Sequence, residues 1–216
     1  MKNVYIVGGQ GFALECAFYL KRMASVNCKI SFSGFLGEDG FVPDLGRMQS
    51  LFKGDCDDMN FCSDDALIIG SGNLEIRAKL FERFHNKVPF FTLIDPSAII
   101  SPDAGIGQGN IFAPYTIVSP ETIIGNANIF NSYSFTAHHV SVGNYNFIAP
   151  QTQLLGGSSV GHLNSIGTAA VLLPHSKIGD NNKIAPLSAV YKGCGDDCCL
   201  VGNPARNLHI PSRGGE

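Results

Sequence analysis

Residues 100–124 read "ISPDAGIGQGNIFAPYTIVSPETII", and a large apolar residue returns at every sixth position: Ile100, Ile106, Phe112, Val118, Ile124. A helix repeats at about 3.6 residues and a strand at about 2, so neither produces this spacing. The count extends in both directions, from Ile94 through Phe130, Val142, Ile148, Leu154, Val160, Ile166, Leu172, Ile178 and Ile184 to Val190. Only Thr136 interrupts it. The next position is mostly small, as at Gly107, Ala113, Gly125, Gly143, Gly161 and Gly179. A parallel β-helix built of hexapeptides accounts for the period, because each hexad supplies one short face and its opening residue points into the coil.

A longer period of eighteen lies over the first. Gly107, Gly125, Gly143, Gly161 and Gly179 are eighteen apart, and each is followed three residues later by Asn110, Asn128, Asn146, Asn164 or Asn182. Pro96, Pro114, Pro150 and Pro186 fall on another such line. Three hexads therefore form one triangular coil. The glycines and asparagines are expected at its corners, because both tolerate turn conformations.

Upstream of Ile94 the pattern changes. "NVYIVG" (3–8), "ISFSGFLG" (30–37), "ALIIGSG" (66–72) and "VPFFTLI" (88–94) read as short buried strands. "GFALECAFYLKRMA" (11–24) and "NLEIRAKLFERF" (73–84) read as amphipathic helices between them. Strand, helix and strand at these lengths predict βαβ units and a small parallel sheet. The boundaries that follow are 1–93 for an α/β, Rossmann-like domain, 94–208 for the β-helix and 209–216 for a tail.

Composition narrows the function. The net charge is −3 and there is no Lys/Arg run, which argues against a nucleic-acid partner. We read no signal peptide in "MKNVYIVGGQGFALEC" and no apolar segment of bilayer-spanning length, so a cytoplasmic location without membrane association is expected. The seven cysteines are odd in number and lack a secreted-framework spacing, which predicts reduced thiols. "CGDDCC" (194–199) has no second Cys/His pair at zinc spacing, so no metal site is assigned.

The hexad ladder, closed by "VGNPAR" (201–206) and preceded by "YIVGGQGFALE" (5–15) and "FLGED" (35–39), resembles the left-handed β-helix acyltransferases, and within them the bacterial sugar acetyltransferases of the PglD/NeuD type. The resemblance implies an N-terminal Rossmann-like domain followed by a left-handed parallel β-helix of hexapeptide repeats. It also implies a homotrimer that transfers acetyl from acetyl-coenzyme A, without a metal, to the amino group of a UDP- or dTDP-linked amino-deoxy sugar for surface glycan synthesis. Alternatives are O-acetylation of a sialic acid or related sugar, and a non-catalytic trimeric binding protein.

In that family a histidine five residues before a hexad glycine serves as general base, and this carries over to His138, five residues before Gly143. The neighbouring carboxylate is replaced here by His139, an orienting residue or alternative base, and the preceding asparagine by Ala137. A second family histidine corresponds to Phe147, while an upstream asparagine is retained as Asn131, assigned to the substrate. Pro102, Pro120, Gly156 and Pro174 share the eighteen-residue line of His138, so an exposed corner is predicted for it. The resemblance further implies that Gly156 and Gly157 contact the thioester end of coenzyme A, with Gly167, Ala185, Lys183 and Arg206 further along the cofactor. Gly9 and Gly11, at a strand-to-helix turn suited to an anion, are assigned to the nucleotide sugar together with Glu38, Asp39, Gly72 and Asn73.

Overall fold

The structure is a computed structural model, which describes residues 1–8 and 11–208. The tail assigned to 209–216 and Gly9 lie outside the described residues.

The first part of the chain forms a four-stranded parallel sheet from β1 (Lys2–Val7), β2 (Ile30–Gly37), β3 (Phe52–Asp55) and β4 (Asp65–Ile69), in the order β3-β2-β1-β4. Two helices, α1 (Gly11–Val26) and α2 (Leu74–Phe84), accompany it. The β1 and β4 runs are apolar almost throughout because they are covered on both faces; Val4, Ile6, Val7 and Leu67–Ile69 are buried. The run 88–94 is not a further strand of this sheet. Phe90 makes a single bridge to Leu67, and Leu93–Ile94 pairs instead with Ile111–Phe112 as the first rung of the β-helix.

From there the chain winds as a left-handed parallel β-helix with three flat faces of two-residue strands. The first face runs from Leu93–Ile94 to Cys199–Val201 and ends in an antiparallel strand at Arg206–Asn207; the second runs from Ile99–Ile100 to Ala189–Val190; the third runs from Gly105–Ile106 to Gly193–Cys194. Register between coils is eighteen residues, as in Phe130↔Ile148 and Thr136↔Leu154. It shortens to sixteen at the last coil, where Ile178 faces Cys194 and Ile184 faces Leu200. The sixth-residue ladder forms the core, with Phe112, Phe130, Ile148, Leu154, Ile166 and Leu172 fully buried.

The glycine and asparagine lines have roles other than the expected tolerance of turns. A Cβ on Gly107, Gly125, Gly143 or Gly161 would stand 2.5–2.7 Å from a glycine carbonyl of the next coil, so these glycines permit close stacking. The asparagines form a buried column. Asn110 Oδ1 accepts from the backbone N–H (2.9 Å) and Nδ2 (3.0 Å) of Asn128. Asn128 does the same for Asn146, and Asn146 for Asn164. Asn164 accepts from the Asn182 N–H, and Asn182 from the Cys198 N–H at 2.7 Å. Positive φ falls elsewhere, at residues three past the core positions from Ile106 onward, including Tyr115, Tyr133, His139, Gln151, His175 and Leu187.

The two parts are joined through Arg77, which α2 buries completely. Its guanidinium donates to Ile69 O (2.7 Å) and Ser71 O (3.0 Å) in the N-terminal part, and to Ala127 O (3.0 Å) and Gly109 O (3.4 Å) in the coil. Burial lowers its pKa to about 10, which still leaves it charged at neutral pH. Arg22 of α1 adds a bidentate pair to the buried Asp95 at 2.6 and 3.1 Å.

Thr136, the one polar residue in the core ladder, is fully buried, and its Oγ1 has no hydrogen-bond partner among the described residues. Leaving a buried hydroxyl unpaired costs about 1–3 kcal/mol. Thr136→Val is therefore expected to raise the melting temperature by about 2–4 °C for each kcal/mol recovered, as read by calorimetry. Arg77→Met should destabilise by on the order of 3 kcal/mol, since several buried carbonyls lose their donor; unchanged denaturant midpoints would show that the clamp carries no energy.

Candidate active site

The corner between the second and third faces carries His138 and His139. One residue place on this corner takes no ladder bond through its N–H, which is why Pro102, Pro120 and Pro174 can occupy it. His138 and Gly156 hold the same place, and their N–H groups have no hydrogen-bond partner among the described residues. The next place has positive φ, 58° at His139, 71° at Gly157 and 63° at His175. Both histidines of the pair are exposed, as predicted for a corner.

The imidazoles of His138 and His139 meet edge to face, with rings 88° apart and Nδ1 atoms separated by 2.9 Å. The His138 ring lies over Gly156 of the next coil: a Cβ there would stand 2.8 Å from Cε1 and 3.0 Å from Nε2. Gly157 meets a second imidazole, with its Cβ position 2.5 Å from Nδ1 of His175. Gly156–Gly157 is thus a floor without side chains, bounded by His138 on one side and His175 on the other. His175 was not singled out from the sequence, although adding eighteen to Gly157 leads to it.

The other proposed cofactor residues lie elsewhere on the single chain. Gly167 and Ala185 stack at the corner between the first and second faces, where a Cβ on Gly167 would stand 2.5 Å from Pro186 N. Lys183 projects from the first face into a cleft with Asn73, Glu75 and Ser165. Arg206 shares a cleft of about 310 Å³ with Tyr191 and Lys192 at the C-terminal coil. Asn131 also sits at the first-to-second corner, its Oδ1 accepting from the Ser132 N–H at 2.7 Å, so one chain does not bring it to His138. Phe147 packs against the core shared with the N-terminal part.

A further cleft, of about 460 Å³, opens beyond the C-terminal ends of β2 and β4, beside the first turns of the two helices. Gly11, Glu38, Gly72 and Asn73 line it together, with Phe12, Phe41, Ser71 and Ile76. Burial, and then the charge of Asp39, pushes the Glu38 carboxyl above its ordinary pKa. Asp39 does not line the cleft. Lys79 (2.7 Å) and Arg83 (2.6 Å) hold it, and these bonds lower its pKa to about 2. Asn73 caps α2 by accepting from the Ile76 N–H at 3.1 Å. Two further glycines shape the turn. Gly8 has φ +94°, and a Cβ on Gly70 would strike Ile6 and Ala13 at 2.6 and 2.8 Å.

The strand order and the coil register define a left-handed hexapeptide β-helix carrying a Rossmann-like N-terminal domain. No protein-family model and no curated protein sequence matches the chain. Among solved structures, the acetyltransferase domain of PglB from Neisseria gonorrhoeae FA1090 is similar at 19% identity and TM-score 0.83, over 96% of this chain and 100% of that one. PerB from Caulobacter crescentus, in complex with CoA and GDP-perosamine, is similar at 22% identity and TM-score 0.81, over 96% and 98%. WeeI from Acinetobacter baumannii AYE is similar at 23% and 0.83, over 96% and 100%. At these identities the likeness establishes the fold.

Because the His138 ring occupies the space a side chain would take, Gly156→Val should displace it. Folding should persist, as the corner is exposed, while the histidine ring resonances of His138 shift in an NMR spectrum. Unmoved His138 resonances would contradict the contact.

Proposed function

We propose that the chain is an acetyl-coenzyme A-dependent N-acetyltransferase acting on the amino group of a nucleotide-linked amino-deoxy sugar. The observation that carries this reading is the exposed imidazole of His138, held at Nδ1 by His139 and laid over the bare Gly156–Gly157 floor. Likeness of fold to PerB, whose structure holds CoA and GDP-perosamine, and to the PglB domain, also known in complex with acetyl coenzyme A, supports it.

In this reading the acceptor amine attacks the thioester carbonyl as His138 Nε2 takes its proton. The Gly156 N–H, without a partner among the described residues, is the donor assigned to the oxyanion. Collapse of the tetrahedral intermediate expels the coenzyme A thiolate, which receives the proton from His138. The nucleotide sits in the cleft of Gly11, Glu38, Gly72 and Asn73; Glu38 can accept from ribose or base N–H and O–H groups. UDP and dTDP are our assignment for the nucleotide, and product formation would serve surface glycan synthesis in the cytoplasm.

A homotrimer suits this arrangement. The second face presents Ile99, Ile117, Phe135 and Val171 outward, with Ile99 64% exposed, and Tyr115 and Tyr133 stack at its edge with centroids 4.9 Å apart. Burying that face between copies would let Asn131, Gly167, Ala185, Lys183 and Arg206 of one subunit approach the His138 corner of another. Among the described residues no helix is long and apolar enough to cross a membrane.

Thiol release from acetyl-coenzyme A, measured against UDP-, dTDP- and GDP-linked amino sugars, tests the reading. Acceptor-dependent release with an N-acetylated product is expected, and His138→Ala should lower kcat by roughly 10²–10⁴. Release with no acceptor in the panel, or an unimpaired His138→Ala, would refute it.

A further inference from the structure

Two Nδ1 atoms 2.9 Å apart share one hydrogen bond, so one of them carries a proton and the other does not. A neutral imidazole holds its single proton on one ring nitrogen, and the link therefore fixes both tautomers together. With the shared proton on His138, its Nε2 presents a lone pair and His139 keeps its own proton at Nε2. With the proton on His139 the roles exchange. The surroundings break this symmetry. The Cε1–Nε2 edge of His138 lies on the Gly156 floor, while His139 stands at the positive-φ apex with its N–H bonded back to Pro120 O at 3.3 Å.

We propose that His139 is a positioning residue: its neutral Nδ1 accepts the Nδ1 proton of His138 and so reserves His138 Nε2 as the proton acceptor. The tautomer assignment stands on geometry alone, whereas its kinetic consequence rests on the acyl-transfer reading above. The link also survives the proton transfer. Once His138 takes a proton at Nε2, the imidazolium still donates from Nδ1, now as a charge-assisted bond. A second proton, bound at His139 Nδ1, would break it.

The titratable groups facing the pair are Glu121, at the equivalent place one coil above His139, and His175, beyond Gly157 one coil below. A carboxylate in place of His139 would add negative charge against His138 and favour its imidazolium form. His139→Asp should therefore move the acid limb of kcat/KM up by about one pH unit or more. Asparagine, an uncharged acceptor, should leave that limb in place. Both residues suit the site, because Asp and Asn tolerate positive φ better than other non-glycine residues.

Nitrogen-resolved NMR of the histidine rings, together with steady-state kinetics, tests the proposal. The wild-type spectrum should show His138 protonated at Nδ1 and His139 at Nε2. His139→Ala should release the His138 tautomer and lower kcat on the order of tenfold with KM little changed, and His139→Asn should restore both. A wild-type His138 protonated at Nε2, or a His139→Ala variant with unaltered kcat and tautomer, would overturn it. A wild-type protein with the expected tautomers but no acetyl transfer would refute the acyl-transfer reading and leave the pair intact.

Discussion

A column of buried asparagine amides sets the register on which the rest of this molecule depends. Each link from Asn110 to Asn182 ties one coil to the next through a backbone N–H, and the three between Asn110 and Asn164 add a side-chain N–H. Strands of two residues carry too little pairing to fix their own alignment, and a one-residue slip would turn every core residue outward. A polar column inside an apolar prism resists such a slip, because any other register leaves buried amides unpaired. The last coil is two residues short, and there Asn182 Nδ2 is left without a partner among the described residues.

Register is also what builds the site. His138 meets Gly156, and His175 meets Gly157, only because coils stack at eighteen residues. The corner there is free of ladder bonds through one N–H, so the scaffold supplies backbone donors without straining the fold. The N-terminal part is fixed to the same frame by Arg77, whose hydrogen bonds run to carbonyls on both sides. The N-terminal cleft and the imidazole corner are thereby held in one covalent and hydrogen-bonded body, a condition that the proposed alignment of an amine with a thioester requires.

Much of this was legible in the sequence because the repeat is strict. The sixth-residue period marked the core, the eighteenth-residue period marked the coils, and the line through Pro102, Pro120 and Pro174 marked His138 as an exposed corner. Other features depend on contacts that spacing does not encode. The asparagines were expected at corners on propensity, yet their amides are used inside, where a column of partners outweighs local preference. Asp39 was grouped with Glu38 by adjacency, but consecutive residues point apart, and Lys79 and Arg83 claim it. The 88–94 run has strand composition whichever sheet it joins, so composition did not reveal that Leu93–Ile94 belongs to the coil. The polarity of Thr136 has no partner to explain it.

In the proposed reaction His138 Nε2 receives the acceptor's proton above the Gly156–Gly157 floor. A crystal structure of the protein with coenzyme A and an amino-sugar nucleotide tests this most directly. The sugar amine is expected within about 2.6–3.2 Å of His138 Nε2, with the coenzyme A sulfur over Gly156. An amine bound to His139 or His175 instead, or a sugar seated away from this corner, would contradict it.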